Sequence, residues 1–257
     1  MPFLKEFIVT GNQLSGKINS LFNKSDRVGY TGMGADGTLT STLDSLCEDA
    51  IINRIEELNL PFNIVSEERG FVDRGFEDNI VIDPLDGTFN AENQIPAYSI
   101  SLAIMGKDFN SINEALVFNL PTSNYFWAEK GKGAFRNNIQ LPQTDKMTGT
   151  AVTYTMDPSS VPQYLIDDVT RLRIFGCASM ELALLANGSL DSVAYLGSEK
   201  KLRNVDIAAG ILLVRETGGT VLDEKGNILN MDLDVRSRRN MIALSHAKSK
   251  LIGAKER

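Results

Sequence analysis

The sequence predicts an α+β half followed by an α/β half, and three patterns carry that prediction. Apolar runs over 62–66, 79–82, 98–105, 112–119 and 125–129 follow one another with turn formers between them, which suits a mostly antiparallel sheet. Beyond residue 149, strand-like and helix-like runs alternate, the pattern of an α/β layer with partly parallel strands. Residues 142–149 are polar and rich in turn formers, so the internal boundary is placed there and divides the chain into 1–145 and 146–257.

Taken in order, Phe3, Leu4, Phe7, Ile8, Leu14, Ile18, Leu21 and Phe22 recur at helical spacing in spite of Gly11 and Gly16. Residues 25–40 are glycine-rich and polar. Within them, Asp36-Gly37-Thr38 reads as turn chemistry or a mobile loop. A second helix follows from Leu43, Leu46, Cys47, Ala50, Ile51, Ile55 and Leu58, with Asp44 in its first turn and Pro61 closing it. Strands over 62–66 and 79–82 each lead into acidic residues. Gly131-Lys132-Gly133 and Asn137-Asn138 mark later turns. In the second half, strands are expected over 151–155, 172–175, 190–195, 219–222 and 241–245, and helices over 162–169, 179–186 and 205–217. The glycines of residues 29–34 have the wrong order for a dinucleotide fingerprint, and there is no Walker-type Gly-Lys-Ser/Thr.

A formal net charge of −7 argues against a nucleic-acid binder and against electrostatic docking on anionic membranes. Cys47 and Cys177 stand far apart without CxxC spacing, which fits a reducing compartment. The amino terminus lacks the basic and apolar regions of a secretion signal, and no stretch reaches the length of a membrane span, so a cytoplasmic protein is expected. The single histidine, His246, has no triad or zinc partners in view. Chemistry here must run on carboxylates, hydroxyls and amines.

The segment Val81-Ile82-Asp83-Pro84-Leu85-Asp86-Gly87-Thr88-Phe89-Asn90 ends an apolar strand with two carboxylates and a glycine-threonine turn. Asp-Pro and Asp-Gly are ordinary turn formers. They are also oxygen ligands and exposed amides of the kind that a hard divalent cation and a phosphate require. Pro84 is expected to stop the strand, leaving Asp83 and Asp86 turned toward one point beyond its end. Asp44 at a helix start, Glu67 at a strand end and Asp206 at another helix start extend the acidic set. Each alone has a plainer reading, as a helix cap or a solvated charge.

Ser66-Glu67-Glu68, Asp83-Pro84-Leu85-Asp86-Gly87-Thr88-Phe89-Asn90, Asp206-Ile207-Ala208-Ala209-Gly210 and Glu216-Thr217-Gly218-Gly219 occur in this order, and with them the chain resembles the inositol monophosphatase superfamily over nearly its whole length. Arg173-Ile174-Phe175-Gly176-Cys177-Ala178 and Leu202-Arg203-Asn204-Val205-Asp206 look most like archaeal members acting on both inositol monophosphate and fructose 1,6-bisphosphate. The resemblance implies a layered αβαβα sandwich and a magnesium-dependent, lithium-sensitive phosphatase of small phosphorylated polyols or sugars, working as a homodimer or homotetramer.

It also implies roles residue by residue. Glu67, Asp83 and the Leu85 carbonyl would hold one Mg2+, and Asp83, Asp86 and Asp206 a second, with room for a third on Glu67. The Thr88 hydroxyl, oriented by Asp44, would bond the attacking water, and the amides of Gly87 and Thr88 would receive the phosphate. The Ala178 backbone, Glu199, Arg173, Lys201 and Arg203 would surround the leaving alcohol and any second anionic group. Two other readings stand beside this one. They are a phosphatase for phosphoadenosine phosphate or NADP in the same superfamily, and a regulatory binding protein that keeps the fold.

Overall fold

The computed structural model describes residues 1–23, 29–155, 159, 161–198 and 202–255. A 3-10 turn at Leu4–Glu6 leads into α1 (Phe7–Asn23). The hairpin of β1 (Tyr30–Met33) and β2 (Leu39–Ser41) then leads into α2 (Thr42–Glu57), so the glycine-rich, polar stretch carries a strand pair.

The first large sheet contains β3 (Asn63–Ser66), β4 (Gly70–Val72) and β5 (Asn79–Asp86). After the single-turn helix α3 (Thr88–Glu92) it adds β6 (Ser99–Met105), β7 (Ile112–Asn119), β8 (Tyr125–Glu129), β9 (Gly133–Arg136) and β10 (Ile139–Gln140). Its order is β10-β9-β8-β7-β6-β5-β3-β4, antiparallel throughout except for β3 beside β5. The second sheet is formed by β11 (Thr150–Tyr154), β12 (Arg171–Arg173), β13 (Ser192–Tyr195), β14 (Thr220–Leu222) and β15 (Met241–Leu244), in the order β12-β11-β13-β15-β14. β11 runs parallel to β12 and β13, and β15 antiparallel to β13 and β14. The helices of this half are α4 (Gln163–Ile166), α5 (Ala178–Ala186), α6 (Asn204–Glu216) and α7 (His246–Lys255).

Both sheets are covered on both faces, which explains why their strands read as near-continuous apolar runs. The two-residue alternation of a strand sorts them. Ile80 and Ile82 of β5 pack with Leu14 of α1 and Ile51 of α2, whereas Val81 between them packs on the opposite side with residues of α5 and α6. In the second sheet Val193 joins that same α5–α6 cluster, and Ala194 turns away to a third cluster with Leu165 of α4. Five layers result: α1 and α2, the large sheet, α5 and α6, the small sheet, then α4 and α7. Gly210 lets the middle helices meet, since a Cβ there would lie 2.5 Å from Leu182 Cβ. Among the described residues no helix is long and apolar enough to cross a membrane.

Candidate active site

β5 does not stop at Pro84. It continues to Asp86 with a register shift: Asp83 pairs with Ser101 and Asp86 with Ser99, so three steps on β5 match two on β6. One extra residue is therefore bulged, and Pro84, which has no N–H to lose, sits within the bulge. Residues three apart on a regular strand point to opposite faces; the inserted residue puts Asp83 and Asp86 on the same one. That face looks toward the α5–α6 layer, because Ser99 Oγ lies 2.7 Å from Ser179 Oγ and Ser101 Oγ donates to the Val205 carbonyl at 3.5 Å.

β3 lies parallel to β5 with Ser66 opposite Ile82, so its carboxyl end delivers Glu67 beside Asp83. α2 begins with a capping box: the Asp44 amide donates to Ser41 Oγ at 3.2 Å and the Ser41 amide to Asp44 Oδ2 at 3.0 Å. The second oxygen of Asp44 accepts the Thr88 hydroxyl at 2.9 Å, and the Leu85 carbonyl lies 3.0 Å from the same hydroxyl. Gly87 turns the chain at φ +88°, where a Cβ would come within 2.7 Å of the Ala97 carbonyl. Asn90 fastens the turn to the second half by donating to the Phe175 carbonyl at 2.7 Å.

Asp206 lies in the first turn of α6, where its Oδ2 accepts the Arg203 amide at 2.7 Å. It therefore serves as a helix-capping acid and at the same time lies near Asp83 and Asp86. Arg203 also donates to Asp206 Oδ1 at 2.8 Å, to Asp36 Oδ2 at 2.7 Å and to Glu67. Asp36 accepts a further bond from Arg238 at 3.1 Å. Burial would raise the carboxyl of Asp36, but the Thr38 amide and Arg203 outweigh it and hold the group below its usual range.

Asp83 is fully buried. Its Oδ1 accepts the Leu85 amide at 3.1 Å, and its Oδ2 has no hydrogen-bond partner among the described residues. Burial, then the charges of Asp86, Asp206 and Asp44, push it well above the carboxylate range. Asp86 is pushed up to about 7 by burial and by Asp206, against hydrogen bonds from Ser179. Glu68 is likewise raised to about 7, chiefly by burial.

The structure thus brings Asp44, Glu67, Asp83, Leu85, Asp86, Gly87, Thr88, Arg203 and Asp206 to one seam, with Ala178 opening α5 on its far side. A cleft of about 380 Å3 opens between the β1–β2 hairpin, Glu67, Thr88 and Arg203. Arg173 is instead on the exposed edge strand β12, its guanidinium donating to the Leu172 carbonyl at 2.8 Å. Glu199 and Lys201 lie outside the described residues.

Asp36, which the sequence offers only as turn chemistry or a mobile loop, is in the site, and so is Arg238. The echo of Asp86-Gly87-Thr88 in Asp36-Gly37-Thr38 was a signal for the first. No sequence pattern marks the second.

Among the described residues, no three His, Cys, Asp or Glu side chains are gathered to hold a metal ion as they stand, and the Arg203 guanidinium lies between Glu67 and Asp206. The donor set nevertheless suits a hard divalent cation. A buried, unpartnered carboxylate oxygen among like charges is costly unless a cation answers it.

The sequence profile of the inositol monophosphatase family matches residues 9–256. The fructose-1,6-bisphosphatase/inositol-1-monophosphatase of Thermococcus kodakarensis is 35% identical over 93% of this chain and 91% of its own. A bifunctional NADP phosphatase/NAD kinase of Methanococcus maripaludis is 33% identical over 86% of this chain, which spans 43% of that longer protein. A solved inositol monophosphatase–fructose 1,6-bisphosphatase superposes with a TM-score of 0.85 at 29% identity, covering 100% of this chain and 99% of that one. The layered fold and the phosphoric monoester hydrolase expected from the sequence are borne out by these matches, and the chain belongs to the inositol monophosphatase family.

Proposed function

We propose that the protein hydrolyses small phosphate monoesters, inositol 1-phosphate and fructose 1,6-bisphosphate first among them. The observation that carries this reading is the bulge that turns Asp83 and Asp86 to one face opposite Asp206, with Asp83 Oδ2 unpartnered. The family's phosphatases are metal-dependent, generally on Mg2+. Two or three ions are proposed here: Glu67, Asp83 and the Leu85 carbonyl would hold one, Asp83, Asp86 and Asp206 a second, and Glu67 a third. Mg2+ so held supplies positive charge for the attacking and leaving oxygens and lowers the pKa of a bound water.

The chain's own groups do the rest. Thr88, fixed by Asp44, presents its hydroxyl oxygen to the attacking water. The amides of Gly87 and Thr88 would receive the phosphate, and glycine at 87 allows the turn at φ +88° that a Cβ would bring against the Ala97 carbonyl. Ala178, Arg173, Glu199, Lys201 and Arg203 are proposed for the leaving-group side. The site draws on both halves, 1–145 and 146–257, and the active form is read as a cytoplasmic homodimer or homotetramer, which sedimentation of the purified protein tests.

A nucleotide reading is favoured by one observation, the likeness to a relative named as an NADP phosphatase. Phosphate release from inositol 1-phosphate, fructose 1,6-bisphosphate, phosphoadenosine phosphate and NADP, with and without Mg2+, separates the readings. Asp86→Asn is expected to abolish turnover with the fold intact. Absence of release from all four substrates in Mg2+ would sink the enzymatic reading and leave a binding protein.

A further inference from the structure

We infer that Ser179 is a positioning residue for the metal centre: its hydroxyl and amide lock one oxygen of Asp86, so that the other is presented to the cation. This rests on the metal-site reading above and adds a residue outside it.

Ser179 is the second residue of α5 and is fully buried. Its amide and its hydroxyl each lie 2.6 Å from Asp86 Oδ2, and Cys177 Sγ lies 3.3 Å from the same oxygen. Three donors therefore converge on Oδ2, while among the described residues no hydrogen bond reaches Oδ1. A carboxylate without its proton only accepts, so the single Ser179 hydroxyl proton must point at Asp86. The Ser179 lone pair then receives the proton of Ser99, whose Oγ is 2.7 Å away and equally buried. The relay Ser99 to Ser179 to Asp86 runs one way and favours the ionised carboxylate that a cation needs.

The platform is rigid. Glu181, two residues along α5, accepts the amides of Phe175 and Gly176 at 2.8 and 3.1 Å, and its other oxygen takes the Tyr195 hydroxyl at 2.5 Å. The first turn of α5 thus cannot swing away from Asp86. Asp86 of the first half is thereby tied to α5, which packs against α6, the helix that carries Asp206.

The test is calorimetric titration of Mg2+ into chelator-stripped, full-length protein, beside the unfolding temperature of the same samples and phosphate release at saturating Mg2+. Ser179→Ala is expected to weaken Mg2+ binding by about 10–100-fold while the stripped protein stays folded. Its kcat at saturating Mg2+ should fall much less than its Mg2+ affinity. Ser179→Thr, which keeps the hydroxyl, should retain wild-type affinity. Ser179→Cys, close in volume but a weak donor, should lose affinity as Ser179→Ala does and serves as the second probe if the alanine variant fails to fold. Wild-type Mg2+ affinity in a folded Ser179→Ala or Ser179→Cys, or an equal loss in Ser179→Thr, would overturn the inference. Asp86→Asn keeps the two readings apart. If it binds Mg2+ normally the metal site itself is wrong, whereas if it fails to bind and Ser179→Ala binds normally only Ser179 is misassigned.

Discussion

Removing the charge of Asp86 should make the metal-stripped protein progressively more stable than wild type as pH rises. The Asp86 carboxyl is pushed up to about 7 from an ordinary 3.8, by burial first and then by Asp206. Between those values the folded state keeps a proton that the unfolded chain gives up. The sign follows from linkage: the contribution is fully present below 3.8 and is lost as pH rises through 7. From pH 5 to pH 8 one such group costs the wild type about 2–3 kcal/mol. Asp83, raised by burial and by the charge of Asp86 itself, acts in the same direction. Asp86→Asn has no proton to lose at that position and relieves Asp83. Urea unfolding followed by circular dichroism in EDTA at constant ionic strength, at pH 5, 6, 7 and 8, should show the variant's advantage widening by at least that amount. Saturating Mg2+ should reverse the trend for wild type alone. Stability curves that stay parallel within about 0.5 kcal/mol across the range would refute the reasoning, because the carboxylate would then be no worse off folded than unfolded.

Other outcomes follow from single contacts. Thr88→Val should lower kcat by about 10²–10⁴-fold in steady-state phosphate release, with unchanged Mg2+ affinity, because the hydroxyl held by Asp44 is lost and no cation ligand is. Gly87→Ala should cost about 2–4 kcal/mol in urea unfolding, since φ +88° is unfavourable for alanine and its Cβ would meet the Ala97 carbonyl at 2.7 Å. Glu216→Ala should cost about 1–3 kcal/mol with kcat unaltered, because its carboxylate accepts the amides of Gly131 and Gly133 at 2.9 and 2.8 Å and takes no part in the proposed chemistry.

What the sequence revealed depended on how local the cause was. The cap of α2 is a contact between residues 41 and 44, and Asp44 was legible as a first-turn acid for that reason. The strands of the large sheet were legible because both of its faces are buried, which leaves runs such as Ser99–Met105 buried without interruption and apolar except at Ser99 and Ser101. β4, with three residues and two exposed positions, offers no such run, and the five residues of α3 are too few to show a helical period. α7 mixes lysines with small residues and lacks an apolar stripe, so it too escaped. At Pro84 the local rule misled. A proline normally ends a strand, but a bulge has a position that needs no N–H, and the interruption is what gives Asp83 and Asp86 a shared face. Asp36 was marked only by the echo of Asp86-Gly87-Thr88, for the opposite reason: its partners stand at 203 and 238, and no periodicity links positions so far apart.

Arg203 shows how charge legible in the sequence is used differently in the fold. Its guanidinium was expected beside an anionic group of the substrate, and the structure surrounds it with the protein's own acids. Asp36 comes from the hairpin, Glu67 from the end of β3 and Asp206 from α6, so three elements that would repel one another meet at a single cation. Like charges about 4 Å apart oppose one another by on the order of 4 kcal/mol at an effective dielectric of 20, so such a seam closes only around positive charge. Burial would lower the pKa of the guanidinium, yet Asp206 and Asp36 raise it, so Arg203 stays charged where it is most enclosed. A carboxylate site built from both halves of a chain therefore requires a cation of its own to hold the halves together. Arg203 does not reach Asp83 at the edge of the bulge, and Asp83 Oδ2 has no hydrogen-bond partner among the described residues.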